Sequence, residues 1–274
     1  MPGGNVTPTT GIRTAHDGIE LATRHWIAAS PRAAIVLVHG LADHAGRYDH
    51  VGDQFVSRGF DVRGTDLRGF GRSGGERAFV GDFSEYLSDL ADDIAQARRL
   101  GVPVVLIGHS LGGLIATLYA TDGRPQPDLL VLSAPAIEAE LPKMKAVAAK
   151  LLVCILPKLK VSNGLKGDQL SRDSAVGERY FADPLVFPKS TVSLAVALMH
   201  AMEQARASLG RIAQPTLVVH GGSDTIVDPR FTERMAVLPT VTRVVFDEFR
   251  HESFNEEQGT LAVGTVADWI DARL

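Results

Sequence analysis

Cysteine is nearly absent from this chain of 274 residues: Cys154 stands alone, so no disulfide can close within it. A lone thiol fits a reducing compartment. The chain also has no basic excess, its formal net charge being -4, which excludes a general nucleic-acid binder because such a protein needs a positive face. The residues Met1-Pro2-Gly3-Gly4 and those after them show neither the charged nor the apolar region of a secretory signal, and a cytoplasmic protein is expected. Internal repeats and low-complexity linkers are missing as well. With 45% hydrophobic residues there is enough apolar surface for one substantial core, so a single domain over 1–274 is expected. The first dozen residues, rich in Thr, Pro and Gly, are expected to fray.

The most informative stretch is Gly108-His109-Ser110-Leu111-Gly112-Gly113, which follows the apolar run Val104-Val105-Leu106-Ile107 and precedes the helical Leu114-Ile115-Ala116-Thr117-Leu118-Tyr119. A strand, a glycine-flanked serine and a helix form the context of a nucleophile elbow, in which strained backbone lifts the hydroxyl clear of the sheet. Ser110 is therefore the candidate nucleophile. Such a serine needs a base and an orienting acid. The run Pro215-Thr216-Leu217-Val218-Val219-His220 reads as a buried strand ending in Gly221-Gly222-Ser223-Asp224, which puts Asp224 at a strand's carboxyl end, where sites form in open α/β sheets. Asp228 competes for the role, but it precedes Pro229 and reads more simply as a helix N-cap. His251 follows a third strand, Val244-Val245-Phe246, and completes the order Ser110, Asp224, His251, the order of α/β-hydrolases. Asp247 and Glu248 are read as surface charge, His39 and His220 as turn residues, and His109 as support for the elbow.

An oxyanion hole requires two backbone donors. The strand Ala33-Ala34-Ile35-Val36-Leu37-Val38 runs into His39-Gly40-Leu41, and a His-Gly turn there is typical of the loop that supplies one N–H. Leu41 and Leu111, the residue after the nucleophile, are the expected donors, leaving their side chains free to line an acyl pocket. Two other motifs are set aside. Gly69-Phe70-Gly71-Arg72-Ser73-Gly74 satisfies G-x-G-x-x-G, but the next helix starts only near Phe83, too late to face a dinucleotide pyrophosphate. His251-Glu252 lacks the second histidine of a zinc H-E-x-x-H motif. No metal or other cofactor is expected.

After the strand Leu129-Leu130-Val131-Leu132, residues 137–207 read as helices without an obvious strand, which predicts a helical cap inserted after the sixth strand. Within it Leu141, Met144, Ala148, Leu151, Leu152, Ile155 and Leu159 recur at helical spacing, with Lys143, Lys145, Lys150, Lys158 and Lys160 among them. Two readings stay open: a core-facing stripe, or a lid that contacts lipid with its lysines near anionic headgroups. The segment is broken by Lys150 and shorter than the ~20 apolar residues that span a bilayer. Pro157 is expected to end its first helix, and Cys154 to pack.

His39-Gly40-Leu41-Ala42-Asp43-His44-Ala45-Gly46-Arg47-Tyr48, then Asp66-Leu67-Arg68-Gly69-Phe70-Gly71-Arg72-Ser73, then the elbow, together resemble the monoacylglycerol lipase family of α/β-hydrolases from about Ile35 to the C-terminal helix. The chain departs from the family's pattern at Leu111, where methionine is common, at Arg68-Gly69-Phe70, where His-Gly-His is frequent, and at Ser253-Phe254-Asn255, where some members have another histidine. The resemblance implies an α/β-hydrolase fold, a mostly parallel sheet flanked by helices, and a lipid ester substrate. It also places Asp43 and Arg47 at the family's acidic and arginine positions, where they would either reach the free hydroxyls of a glyceryl ester or pair with each other and hold the loop. With Leu151 and Leu152 in the cap, these are the expected substrate-binding residues. The resulting expectation is a serine hydrolase of monoacylglycerols whose cap touches membranes or lipid aggregates peripherally. A broad carboxylesterase or thioesterase and a non-catalytic lipid-binding protein are the alternatives.

Overall fold

The computed structural model describes residues 7–138 and 143–274. Its strands are β1 (Thr9–Thr14), β2 (Glu20–Trp26), β3 (Ala33–Val38), β4 (Phe60–Thr65), β5 (Val104–His109), β6 (Leu129–Ser133), β7 (Lys160–Ser162), β8 (Lys189–Thr191), β9 (Thr216–Gly221) and β10 (Val241–Phe246). Eight of them form one sheet in the order β1-β2-β4-β3-β5-β6-β9-β10. The two pairings that involve β2 are antiparallel, and every pairing from β4 to β10 is parallel. Parallel neighbours need crossovers, and the helices supply them: α1 (Asp49–Ser57), α2 (Ser84–Arg98), α3 (Leu111–Tyr119) and α9 (Gly259–Asp271) flank the sheet, with α8 (Arg230–Glu233) between the last two strands. This is an α/β-hydrolase fold.

The central strands β3, β5, β6 and β9 are buried at every position, without alternation, because both faces are covered. In β3, Ala34, Val36 and Val38 join the cluster formed by α2 and α3, while Ala33, Ile35 and Leu37 join Phe55 of α1 and the stripe Ala262, Val263, Val266, Ala267 and Ile270 of α9. The period of two sends neighbours to opposite faces. Each large aliphatic side chain so buried contributes about 1.5–3 kcal/mol.

Between β6 and β9 the chain leaves the sheet. It forms α4 (Lys143–Leu152), α5 (Gly167–Leu170), α6 (Ser174–Ala182) and α7 (Val192–Ser208), followed by β9. The insertion is not purely helical, since β7 and β8 pair antiparallel from Lys160↔Thr191 to Ser162↔Lys189. Val161, flanked by polar Lys160 and Ser162, makes this pair too short to leave an alternating signature. Helix α4 ends at Leu152, and turns carry the chain to Pro157. Leu141 lies outside the described residues. Cys154 is exposed rather than packed, because the apolar side of this segment faces outward. At the amino end, β1 pairs with β2 along its whole length, so backbone hydrogen bonding orders Thr9–Thr14 where composition alone suggests fraying.

Candidate active site

Four chain segments converge at the carboxyl ends of the parallel strands: the loop after β3, the elbow after β5, and the loops after β9 and β10. Their approach depends on glycine. A Cβ on Gly112 would stand 2.1 Å from the carbonyl oxygen of Val38, and one on Gly221 2.1 Å from that of Arg250. The first contact joins elbow to oxyanion loop, the second joins the Asp224 loop to the His251 loop. Ser110 itself has φ 52° and ψ -113°, a strained conformation that costs roughly 1–3 kcal/mol and presents the side chain at the head of α3.

His251 Nε2 lies 2.9 Å from Ser110 Oγ, and its Nδ1 lies 2.7 Å from Asp224 Oδ2. The carboxylate fixes the tautomer: Nδ1–H donates to Asp224, leaving the Nε2 lone pair for the serine proton. Burial opposes charge on Asp224, but the adjacent His251 and the hydrogen bonds from His220 and His251 outweigh it and hold the carboxyl well below the usual carboxylate range. Burial likewise disfavours the His251 cation, yet the Asp224 charge prevails and raises the imidazole above its ordinary value. The other Asp224 oxygen accepts from the N–H groups of Ile226 at 2.8 Å and Val227 at 3.0 Å. Asp228, by contrast, is held by Arg230 at the surface.

Leu111 is the first residue of α3, so its N–H has no carbonyl one turn back to receive it. Among the described residues, neither it nor the Leu41 N–H donates to another protein group. Leu41, Leu111, Ser110 and His251 line a cavity of about 260 Å³ whose walls include Leu198, Met199 and Met202 of α7 together with Ile226 and Val227. Asp43 and Glu252 border the same cavity. Leu151 and Leu152 do not; Leu151 is 69% exposed on the outer side of the cap.

Arg47 lies outside this cavity and is held in a bidentate pair with Glu252 at 2.7 and 2.6 Å, with Asp43 3.2 Å away. Its guanidinium also lies 4.7 Å from the centre of the Tyr180 ring. Asp43 further accepts from Tyr48 Oη at 3.1 Å and from the His44 N–H at 2.7 Å. Thus Asp43 and Arg47 do pair, and the pair is anchored on Glu252.

Two site residues escape the reading of the sequence. His220 is more than a turn residue: its Nε2 contacts Asp224 Oδ2 at 3.1 Å and the Val227 carbonyl at 3.0 Å, so it braces the acid loop from beneath. Its separation of four residues from Asp224 was the available signal. Glu252 meets Arg47 across 205 positions of chain, a contact that no local pattern announces. His109 does support the elbow, since Nδ1 lies 3.2 Å from Ser133 Oγ and its ring centre 4.9 Å from that of His251. Burial, aided by His251, pushes its pKa down to about 4.

A family model described as serine aminopeptidase, S33, matches residues 29–258. The chain belongs to this family. A monoacylglycerol lipase of Mycolicibacterium smegmatis is 35% identical over 94% of this chain and 95% of its own length. A phospholipase of Bacillus subtilis is 32% identical over 85% of this chain and 93% of its own. Among solved structures, the monoacylglycerol lipase of Paleococcus ferrophilus is similar with a TM-score of 0.83 and 31% identity, covering 93% of this chain and 99% of that one. The chain is a lipase- or esterase-like α/β-hydrolase related to the monoacylglycerol lipases. None of its described helices is long and apolar enough to cross a membrane.

Proposed function

We propose that this protein hydrolyses monoacylglycerols to glycerol and free fatty acid through an acyl-enzyme on Ser110. The observation that carries this reading is the line Ser110–His251–Asp224, at 2.9 and 2.7 Å, opening on an apolar cavity. His251 Nε2 takes the Ser110 proton as Oγ attacks the ester carbonyl carbon. The Leu41 and Leu111 N–H groups receive the oxyanion, and His251 then returns the proton to the departing glyceryl oxygen. In the second half, a water gives its proton to His251 and attacks the acyl carbon; fatty acid leaves and Ser110 regains its proton. No cofactor enters this cycle.

Leu198, Met199 and Met202 supply an apolar wall for the acyl chain, each buried methylene being worth about 0.8 kcal/mol. Asp43 and Glu252 border the same space as acceptors for glyceryl hydroxyls. Arg47 acts through them: it pairs with both carboxylates, and against the burial that opposes charge there its guanidinium holds the Asp43 carboxyl below its ordinary value. The outer face of the cap, with Val147, Leu151, Ile155 and Leu156 exposed, suits contact with a lipid surface. Lys150 lies on this segment, whereas Lys158 and Lys160 are turned toward Glu76 at 3.7 and 3.0 Å.

A second reading, a broad carboxylesterase, draws support from Arg47, which is paired with Glu252 and Asp43 and does not line the cavity. Rates on glyceryl and methyl esters of the same acids, over increasing chain length, separate the two. A preference for the glyceryl ester that disappears in Glu252→Gln supports the monoacylglycerol reading, and equal rates on both series support the carboxylesterase.

A further inference from the structure

We propose that His39, buried beneath the oxyanion loop, is a positioning residue that aims the Leu41 N–H at the ester oxyanion by holding the carbonyl of the same peptide unit. Its ring is fully buried just beyond β3. The Leu67 N–H donates to His39 Nε2 at 2.8 Å. A backbone N–H can only donate, so Nε2 carries the lone pair and the proton of the neutral ring sits on Nδ1. That Nδ1 lies 2.8 Å from the Gly40 carbonyl oxygen, which can only accept. Two separate contacts thus require the same tautomer. Burial pushes the His39 pKa down, and a second proton on Nε2 would expel the Leu67 N–H.

The consequence follows from peptide geometry. The Gly40 C=O and the Leu41 N–H belong to one planar trans unit and point in opposite directions. Fixing the oxygen on the His39 side turns the N–H to the other. The unit passes close to the nucleophile, since a Cβ on Gly40 would stand 3.4 Å from Ser110 Cβ. From the cap, Tyr180 Oη donates to the Ala42 carbonyl at 3.3 Å, steadying the next residue, which has φ 60°.

This also gives the Asp66–Ser73 segment a role. Asp66 accepts from the N–H groups of Ala45 and Arg72, both at 2.8 Å, and Ser73 Oγ donates to the Asp66 carbonyl at 2.5 Å. The segment is thereby tied to the chain just beyond the oxyanion loop, and it delivers the Leu67 N–H to His39.

The proposal rests on the serine-hydrolase reading of Ser110 but not on the identity of the lipid. It is tested with p-nitrophenyl butyrate as substrate and butylboronic acid as a mimic of the tetrahedral adduct. His39→Asn keeps a donor one bond from Cγ, as Nδ1 is, whereas His39→Gln carries its amide to the Nε2 position. The Gln variant is expected to lose roughly 10- to 100-fold in kcat with KM within about twofold, and to lose boronate affinity in proportion, because a misdirected donor is felt in the transition state. The Asn variant is expected to recover most of both. Equal kcat in the two variants, or a loss of kcat with boronate affinity unchanged, would overturn the proposal. Should neither variant fold, nitrogen-15 NMR of the histidine-labelled wild-type protein decides: a neutral His39 protonated on Nδ1 is expected, and one protonated on Nε2 contradicts it. Ser110→Ala in the same assay keeps the readings apart. Turnover surviving there removes the serine mechanism itself, while turnover lost there but retained in His39→Gln removes the His39 proposal alone.

Discussion

Helices α4 and α7 belong to the same insertion and both are apolar, yet they face opposite ways. Leu194, Ala201 and Ala205 of α7 enter the core, and Leu198, Met199 and Met202 border the Ser110 cavity. Val147 and Leu151 of α4 face outward, and Ile155 beyond it is 76% exposed. Hydrophobicity is thus placed in two ways in one cap: α7 is part of the pocket, and α4 leaves apolar side chains exposed. Leaving such residues in water gains nothing for the fold, since their burial is what would stabilise it.

The largest effect that tests this contrast is on stability. Leu194→Ala is expected to cost about 2–5 kcal/mol through lost burial and a residual cavity, whereas Leu151→Ser should stay within about 0.5 kcal/mol. Denaturant unfolding of both variants measures the difference, and equal losses would show that α4 is packed. Next in size is chain-length selectivity. Leu198→Trp fills the cavity and should reduce hydrolysis of long-chain esters at least about tenfold more than that of butyrate, because several methylenes lose their site. Leu151→Trp should leave that ratio intact.

A smaller effect is expected at a lipid surface. Replacing Leu151 and Ile155 together by serine should lower the rate on vesicle-borne monooleoylglycerol about three- to tenfold and change that on dissolved p-nitrophenyl butyrate by less than about twofold. A parallel loss on both substrates would mean that α4 acts on the pocket after all. The smallest effect concerns pH. In the proposed mechanism His251 must be neutral to accept the serine proton, and Asp224 raises its pKa against burial, so kcat/KM should climb with pH along a limb above the ordinary histidine value. That limb should not move in the α4 variants. In Asp224→Asn it should move to lower pH, because burial is then opposed only by the weaker effect of the Glu252 charge, while the rate falls far more than in Asp228→Asn.

What was legible in the sequence divides along the same line. The run Val104–Ile107, the glycines around Ser110 and the turn at Asp224 are local consequences of strand and turn chemistry, so elbow and acid loop could be read directly. Asp224 could be preferred over Asp228 because Pro229 marked a helix start. The direction of a helix face is not local: α4 and α7 carry similar residues, and only packing sorts them, so spacing points to Leu151 and Leu152 as substrate contacts although they lie away from the cavity. Glu252 was hidden for the same reason, its partner Arg47 being far away in the chain. The role of His39 depends on a proton position fixed by Leu67, which spacing does not reveal.

The most direct test of the account is fatty-acid release from monooleoylglycerol by the purified wild-type chain and by Ser110→Ala. The account predicts turnover by the wild type and a loss of at least about a thousandfold in the variant, with its unfolding transition retained, since the nucleophile and its base act as a unit. Release by a folded Ser110→Ala protein at the wild-type rate, or no release by the wild type, would contradict it.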